Sequence, residues 1–119
     1  MPKPITPHLH GVLDYVVVVL FLLAPTLFGF GGTAALLAYA LAGVHLLMTV
    51  LTDFPLGFVG RVIPFRVHGT VELVVGAALA VLPWLLTDVF GEAALFFSAA
   101  GVAILLVWLL TDYRAVPAA

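Results

Sequence analysis

The chain has no cysteine and few charged residues, and both shortages restrict what the protein can be. Of its 119 residues, 65% are hydrophobic and 8% are charged, and the mean hydropathy is +1.31. Without cysteine there are no disulfide bonds, thiolate metal ligands or thiol nucleophiles. Four Lys/Arg and six Asp/Glu side chains cannot cover the surface of a water-soluble domain of this size. The composition therefore predicts that the protein is surrounded by lipid.

Two further classes of protein are disfavoured. The formal net charge of -2 leaves no basic footprint for nucleic acid. The only serine, Ser98, lies inside an apolar run with no histidine and acid to activate it, so hydrolase chemistry is unsupported. We expect the lipid bilayer as the main partner, no nucleic acid, and a protein that is not an enzyme.

Four apolar runs are long enough to cross about 30 Å of hydrocarbon at about 1.5 Å per residue. They cover residues 10–29, 33–52, 68–87 and 92–111. Each must be helical, because an isolated strand in lipid leaves its backbone unpaired and the alternation of a β-barrel is absent. Small residues spaced by four, at Ala38 and Ala42 and at Ala99 and Ala103, predict close packing by the second and fourth spans.

The sequence also repeats itself, which predicts a duplicated helical hairpin. An offset of 58 or 59 residues aligns polar and proline positions: His10-Gly11 with His68-Gly69, Asp14 with Glu72, Pro25 with Pro83, and Thr52-Asp53 with Thr111-Asp112. We expect one membrane domain over residues 1–119, with a first repeat at 3–54, an interfacial connector at 55–67 and a second repeat at 61–113. The predicted fold is an all-α bundle of four transmembrane helices, built from two tandem helical hairpins with pseudo-two-fold symmetry along the membrane normal.

The charge distribution predicts the orientation of the chain. Every basic side chain lies on the side that holds both termini and the connector: Lys3, Arg61, Arg66 and Arg114. The positive-inside rule then places both termini in the cytoplasm, in a multi-pass protein of the inner membrane.

The two hairpins resemble the SPW-repeat family of small bacterial integral membrane proteins. Ala24-Pro25-Thr26 and Leu82-Pro83-Trp84 stand where that family has Ser-Pro-Trp, so the proline is present in both copies and the tryptophan in the second. The likeness extends from about His10 to Tyr113 and includes the His-Gly pair at the start of each repeat. The resemblance implies a small polytopic membrane protein and brings no established activity.

Six ionisable residues are predicted to meet at the cytoplasmic end of the bundle: His10, Asp14, His68, Glu72, Asp53 and Asp112. The histidine and acid of each repeat are four residues apart and therefore share a helix face. Two histidines with several carboxylates can bind a divalent metal ion between helices. The alternative is purely structural: the helix dipole would stabilise Asp14 and Glu72, while arginines would pair with the two aspartates that follow helices.

Other functions stay open at this stage. An oligomeric transporter or channel component would need a homo-oligomer and polar stripes within the membrane. A haem- or quinone-binding redox protein would need ligands at one level on facing helices. His45 lies about 12 Å deeper than Asp53 at helical rise and aligns with Ile104, which disfavours it as a haem ligand. We expect His45 to bond Thr49, Tyr39 or a nearby carbonyl, and only the pair His10 and His68 to suit haem.

Overall fold

The computed structural model of the protein describes residues 3–114, and every long element in this range is a helix. The elements in chain order are α1 (Pro7–Phe28), α2 (Gly32–Leu51), β1 (Thr52–Asp53), β2 (Ile63–Pro64), α3 (Phe65–Leu85), α4 (Thr87–Phe90), a short 3-10 turn (Gly91–Ala93) and α5 (Ala94–Leu110). Four segments are long and apolar enough to cross a membrane: α1, α2, α3 and the run Thr87–Leu110. The all-α fold with four candidate membrane spans is thus confirmed, whereas the pseudo-two-fold axis stays a prediction.

Two helices begin earlier than the apolar runs indicate. α1 starts at residue 7 rather than 10, because the Thr6 hydroxyl accepts a hydrogen bond from the Leu9 amide and Pro7 occupies the first helical position. α3 starts at residue 65 rather than 68, directly after Pro64. Each early start places a histidine of the repeat one turn inside its helix.

Within each hairpin, the helices approach closely where small side chains meet. On α2 the buried small residues are Ala34, Ala38 and Ala42. On α5 the buried face is Phe97, Gly101 and Ile104, while Ala99 and Ala103 are not buried. The prediction for Ala99 and Ala103 was therefore wrong, because an apolar helix in lipid gives no hydrophobic signal for the face that packs on protein.

Gly101 gives a test of this packing. A Cβ built there lies 2.4 Å from the Ala80 amide nitrogen and 2.7 Å from the Gly76 carbonyl oxygen, so α3 and α5 touch backbone to backbone. We expect Gly101→Ala to lower the free energy of unfolding in detergent micelles by about 1–3 kcal/mol, as in other overpacked cores. Gly43→Ala is the matched control, because a Cβ at Gly43 meets nothing within 4 Å. An equal effect of the two substitutions, measured by circular dichroism during denaturation, would contradict the close contact.

Short backbone pairings tie the hairpins together at the end that carries both termini. β1 and β2 pair in parallel, with Thr52 opposite Ile63. Ile5 pairs in parallel with Thr111. The Ile5 amide donates a hydrogen bond to the Leu110 carbonyl at 3.1 Å, and the Ile5 carbonyl accepts one from the Asp112 amide at 2.9 Å. The two pairings correspond to each other, because the sequence repeat aligns Ile5 with Ile63 and Thr52 with Thr111. Each pairing places a threonine beside the start of a helix from the other hairpin.

The connector between the hairpins exposes several of its apolar side chains. In the connector, Phe54 is fully buried, whereas Phe58 is 69% exposed and Val62 is 70% exposed. The exposed side chains suit a segment lying on lipid, and this placement stays a prediction.

At the far end, Phe21, Phe90 and Phe97 form part of the buried aromatic core between the hairpins.

Candidate metal centre

Four of the six predicted residues come together in one buried cluster. His10 and Asp14 project from α1, and His68 and Glu72 project from α3. Each offers a ligand atom, and these four atoms lie within 4.8 Å of one another. The residues are between 0% and 4% exposed. The cluster thus takes one histidine and one acid from each hairpin.

The separations inside the cluster are those of a coordination shell. His10 Nε2 lies 3.3 Å from Asp14 Oδ1 and 3.1 Å from Glu72 Oε1, and His68 Nε2 lies 3.0 Å from Asp14 Oδ2. His68 Nε2 is also in contact with Glu72 Oε1. Ligands about 2.0–2.1 Å from a tetrahedral ion stand about 3.3 Å apart. Three of these separations are within about 0.3 Å of that value, and one ligand atom from each of the four side chains could surround a single ion.

Two buried threonines fix the imidazole rings, each from the other hairpin. Thr111 Oγ1 lies 2.8 Å from His10 Nδ1, and Thr52 Oγ1 lies 2.8 Å from His68 Nδ1. Each threonine hydroxyl donates its single hydrogen to the carbonyl four residues earlier, on Val107 or Met48. The hydroxyl must then accept from the ring, so Nδ1 of each histidine carries a hydrogen. Nε2 then faces the carboxylates: it donates to them when the ring carries both hydrogens, and in the neutral ring its lone pair is free for a metal ion.

One oxygen in the cluster lacks a hydrogen bond. Asp14 Oδ2 is buried, and although His68 Nε2 is 3.0 Å away, the pair does not have hydrogen-bond geometry. An unsatisfied carboxylate oxygen in a buried position is costly, because water cannot replace the missing donor. A cation between the Nε2 atoms and the carboxylates would satisfy it.

The glycine after each histidine lets a neighbouring segment cover the cluster. A Cβ at Gly11 would lie 2.8 Å from the Leu56 side chain, and a Cβ at Gly69 would lie 2.6 Å from the Tyr113 ring. Leu56 is held by its carbonyl, which accepts a 2.8 Å hydrogen bond from the Tyr15 hydroxyl. Each His-Gly pair therefore combines a candidate metal ligand with the space for a covering side chain.

Tyr113 lies just beyond α5 and covers the second side of the cluster. Its ring centroid is 4.7 Å from that of Phe65 and 5.7 Å from that of His10. Burial and the nearby charges of Glu72 and Asp14 raise the pKa of Tyr113 well above its ordinary value, so the phenol stays neutral. Its hydroxyl is buried without a hydrogen-bond partner among the described residues. Tyr113 thus acts as a neutral cover.

Asp53 and Asp112 do not join the cluster, and their inclusion in the predicted site is corrected by the structure. α2 ends at Leu51 and α5 ends at Leu110, so both aspartates lie past the helix ends, while Asp14 lies seven residues into α1. Asp53 is 45% exposed and pairs with Arg61 at 3.5 Å. Asp112 accepts a hydrogen bond from the Arg114 amide at 3.1 Å. For Asp53, the structural alternative of an arginine partner is the one observed.

His45 is closer to the cluster than its sequence position indicates. Its Nε2 lies 3.2 Å from Asp14 Oδ1, and its carbonyl accepts the Thr49 hydroxyl at 2.7 Å. Asp14 is about as deep in α1 as His45 is in α2, since each stands several residues from its helix end. The sequence did not predict the bond to Asp14, because the depth of His45 was compared with that of Asp53 and not with that of Asp14. In addition, His45 aligns with Ile104, so the repeat gave no second histidine at this level.

The space around the cluster limits what else it can hold. The ring centroids of His10 and His68 are 5.4 Å apart, and Glu72 Oε1 contacts both Nε2 atoms, so a porphyrin has no room between them. Towards the middle of the bundle, a cavity of about 160 Å³ borders Asp14, His45 and Glu72. Its other walls are apolar: Leu13, Val16, Val17, Ala103, Ile104 and Val107.

Comparisons of the chain with protein family models, with curated proteins and with solved structures found no match.

Proposed function

We propose that this is a multi-pass membrane protein whose two hairpins are clamped together by a divalent transition metal ion. The ligands would be His10, Asp14, His68 and Glu72. The observation that carries the proposal is the buried Asp14 Oδ2, which has no hydrogen bond although two imidazole Nε2 atoms and a second carboxylate stand around it. Imidazole and carboxylate ligands suit Zn²⁺, Fe²⁺ or Mn²⁺.

The donor set supports a structural ion and not a catalytic one. Four protein ligands complete a tetrahedron, whereas catalytic zinc sites keep one position for water or substrate. Two carboxylates would also cancel the charge of a divalent cation in a region where unbalanced charge is costly. Because each hairpin supplies two ligands, the ion would hold α1 against α3 where direct helix contact is sparse. The protein in this proposal is not an enzyme.

Its setting follows from the charge distribution and from the resemblance to the SPW-repeat family. Under the positive-inside rule, the cluster would lie near the cytoplasmic face of a bacterial inner membrane, one to two helical turns inside the hydrocarbon. A duplicated hairpin would explain why each half supplies the same ligand pair. Both points remain part of the proposal.

Metal titration of the purified protein tests the proposal. After chelation in detergent, we expect the full chain to take up about one equivalent of Zn²⁺, and Co²⁺ to give the visible absorption of tetrahedral coordination. The melting temperature should rise on metal addition, because an ion that binds only the folded state stabilises it.

A pair of matched glutamate variants makes the test specific. Glu72→Gln removes a ligand, whereas Glu92→Gln changes an exposed residue in the loop at the far end of the bundle. Uptake and the Co²⁺ spectrum should be lost only in Glu72→Gln. Less than about a tenth of an equivalent in the unaltered protein, or identical spectra for both variants, would rule the proposal out.

A further inference from the structure

A second cavity lies at the same end of the bundle but opens to the surface. Its volume is about 270 Å³, and its lining includes Lys3, Arg66, Thr70, Trp108, Asp112 and Arg114. The three basic residues come from three places in the chain: the segment before α1, the first turn of α3, and the residues after α5. The fold therefore gathers cations that are far apart in sequence.

These cations have no paired carboxylate in the part of the chain that the structure describes. Within residues 3–114, none of Lys3, Arg66 and Arg114 has a carboxylate oxygen within 4.0 Å, whereas Arg61 pairs with Asp53 at 3.5 Å. Three positive side chains and the single carboxylate of Asp112 give the lining a net charge of +2. A cavity with this balance attracts a dianion.

The helix ends place the cavity at the level of the membrane surface. Arg66 is the second residue of α3, a helix whose first amides have no side-chain cap, so the positive end of its dipole adds to the local charge. Trp108 lies in the last turn of α5 and is half-buried, as expected of an interfacial anchor. At the other end of the bundle, a cavity of about 280 Å³ has Asp88 and Glu92 in its lining and no basic residue. Only the end with the termini is thus suited to an anion.

We propose that this basic pocket, defined by Lys3, Arg66 and Arg114, binds a phosphate group at the membrane surface. Guanidinium groups bind phosphate oxygens through paired N–H donors, and the Thr70 side chain adds a polar wall. The phosphate of an anionic lipid headgroup and free inorganic phosphate share this chemistry. The pocket uses none of the four metal ligands, so the inference does not depend on the metal site.

Trp108 reports on occupancy of the pocket. In full-length protein carrying Trp84→Phe, Trp108 is the only tryptophan, and its fluorescence can be followed in detergent during titration with dihexanoyl phosphatidic acid. We expect saturable binding that weakens with salt, and no response to dihexanoyl phosphatidylcholine. Each cation should contribute about five-fold, so Arg66→Gln with Arg114→Gln should weaken binding about 25-fold. Arg61→Gln, which removes a paired arginine outside the pocket, should leave the affinity unchanged.

The titrations distinguish three results: binding of a lipid headgroup, binding of free phosphate, and the absence of a phosphate-binding pocket. Tighter binding of the lipid than of inorganic phosphate identifies a headgroup, and equal binding of both identifies phosphate itself as the ligand. Both results support the pocket if the double arginine variant loses affinity. A response equal to that of phosphatidylcholine, no loss in the double variant, or the same loss in Arg61→Gln would overturn it. The variants change exposed side chains, so circular dichroism should report an unaltered fold.

Discussion

Replacing His10 and His68 together by alanine should reduce bound metal from about one equivalent to less than about a tenth, the largest effect expected of any change in this protein. Both Nε2 ligands disappear, and the two carboxylates that remain cannot complete a tetrahedral site. The same change leaves Asp14 and Glu72 buried without their imidazole partners. Since an unpaired buried charge costs about 3–5 kcal/mol, the variant should also unfold more readily. Metal analysis and thermal denaturation in detergent measure the two effects.

Two further proteins keep this result interpretable. His10→Gln with His68→Gln retains hydrogen bonding to the carboxylates and should fold, yet amides are poor transition-metal ligands, so binding should still be lost. His8→Ala removes an exposed histidine two residues from the cluster and should bind metal as the unaltered protein does. Full metal occupancy in the glutamine pair would show that the imidazoles are not ligands.

Thr52→Val and Thr111→Val should each weaken metal affinity by about 10–100-fold, although neither residue touches the ion. Valine keeps the shape of threonine but cannot accept the Nδ1 hydrogen, so the ring loses its orientation and its fixed tautomer. The two effects should be similar, because each threonine serves the histidine of the other hairpin in the same way. Competition with a chromophoric chelator measures the affinities.

Thr70→Val is the control for this comparison. The Thr70 hydroxyl also donates to the carbonyl four residues earlier, on Arg66, but it is exposed and contacts no histidine. Its replacement should leave the metal affinity unchanged. Equal losses in all three threonine variants would indicate a general effect on the helices and would remove the role assigned to Thr52 and Thr111.

The sequence predicted the helices and the two histidine–acid pairs for a clear physical reason. Apolar runs of about 20 residues with few charges are stable in lipid as helices, because a helix satisfies all of its backbone hydrogen bonds internally. His10 with Asp14 and His68 with Glu72 stand four residues apart, so each pair had to share a helix face. The sequence repeat predicted that both pairs belong to the same end of the bundle, where the four side chains do meet.

The rest of the site depends on contacts between helices and chain ends, which the spacing of residues along one helix does not determine. Asp53 and Asp112 follow helices, and the short strand pairings turn the chain so that each meets an arginine or a backbone amide and not the cluster. Thr52 and Thr111 were aligned by the repeat, yet the crossing of each threonine to the histidine of the other hairpin is a tertiary contact. His45 reaches Asp14 because the two residues lie at similar depths, and these depths depend on where α1 begins and where α2 ends.

The exchange of backbone pairs at Ile5–Thr111 and Thr52–Ile63 has one more consequence. Each hairpin begins beside the point where the other ends, so the polypeptide follows a nearly closed circuit around the bundle. The order in which the halves are synthesised is then immaterial to the final contacts. A circular permutant, opened in the exposed part of the connector and joined by a short linker from residue 114 to residue 3, would keep Tyr113 and both threonines beside the two histidines.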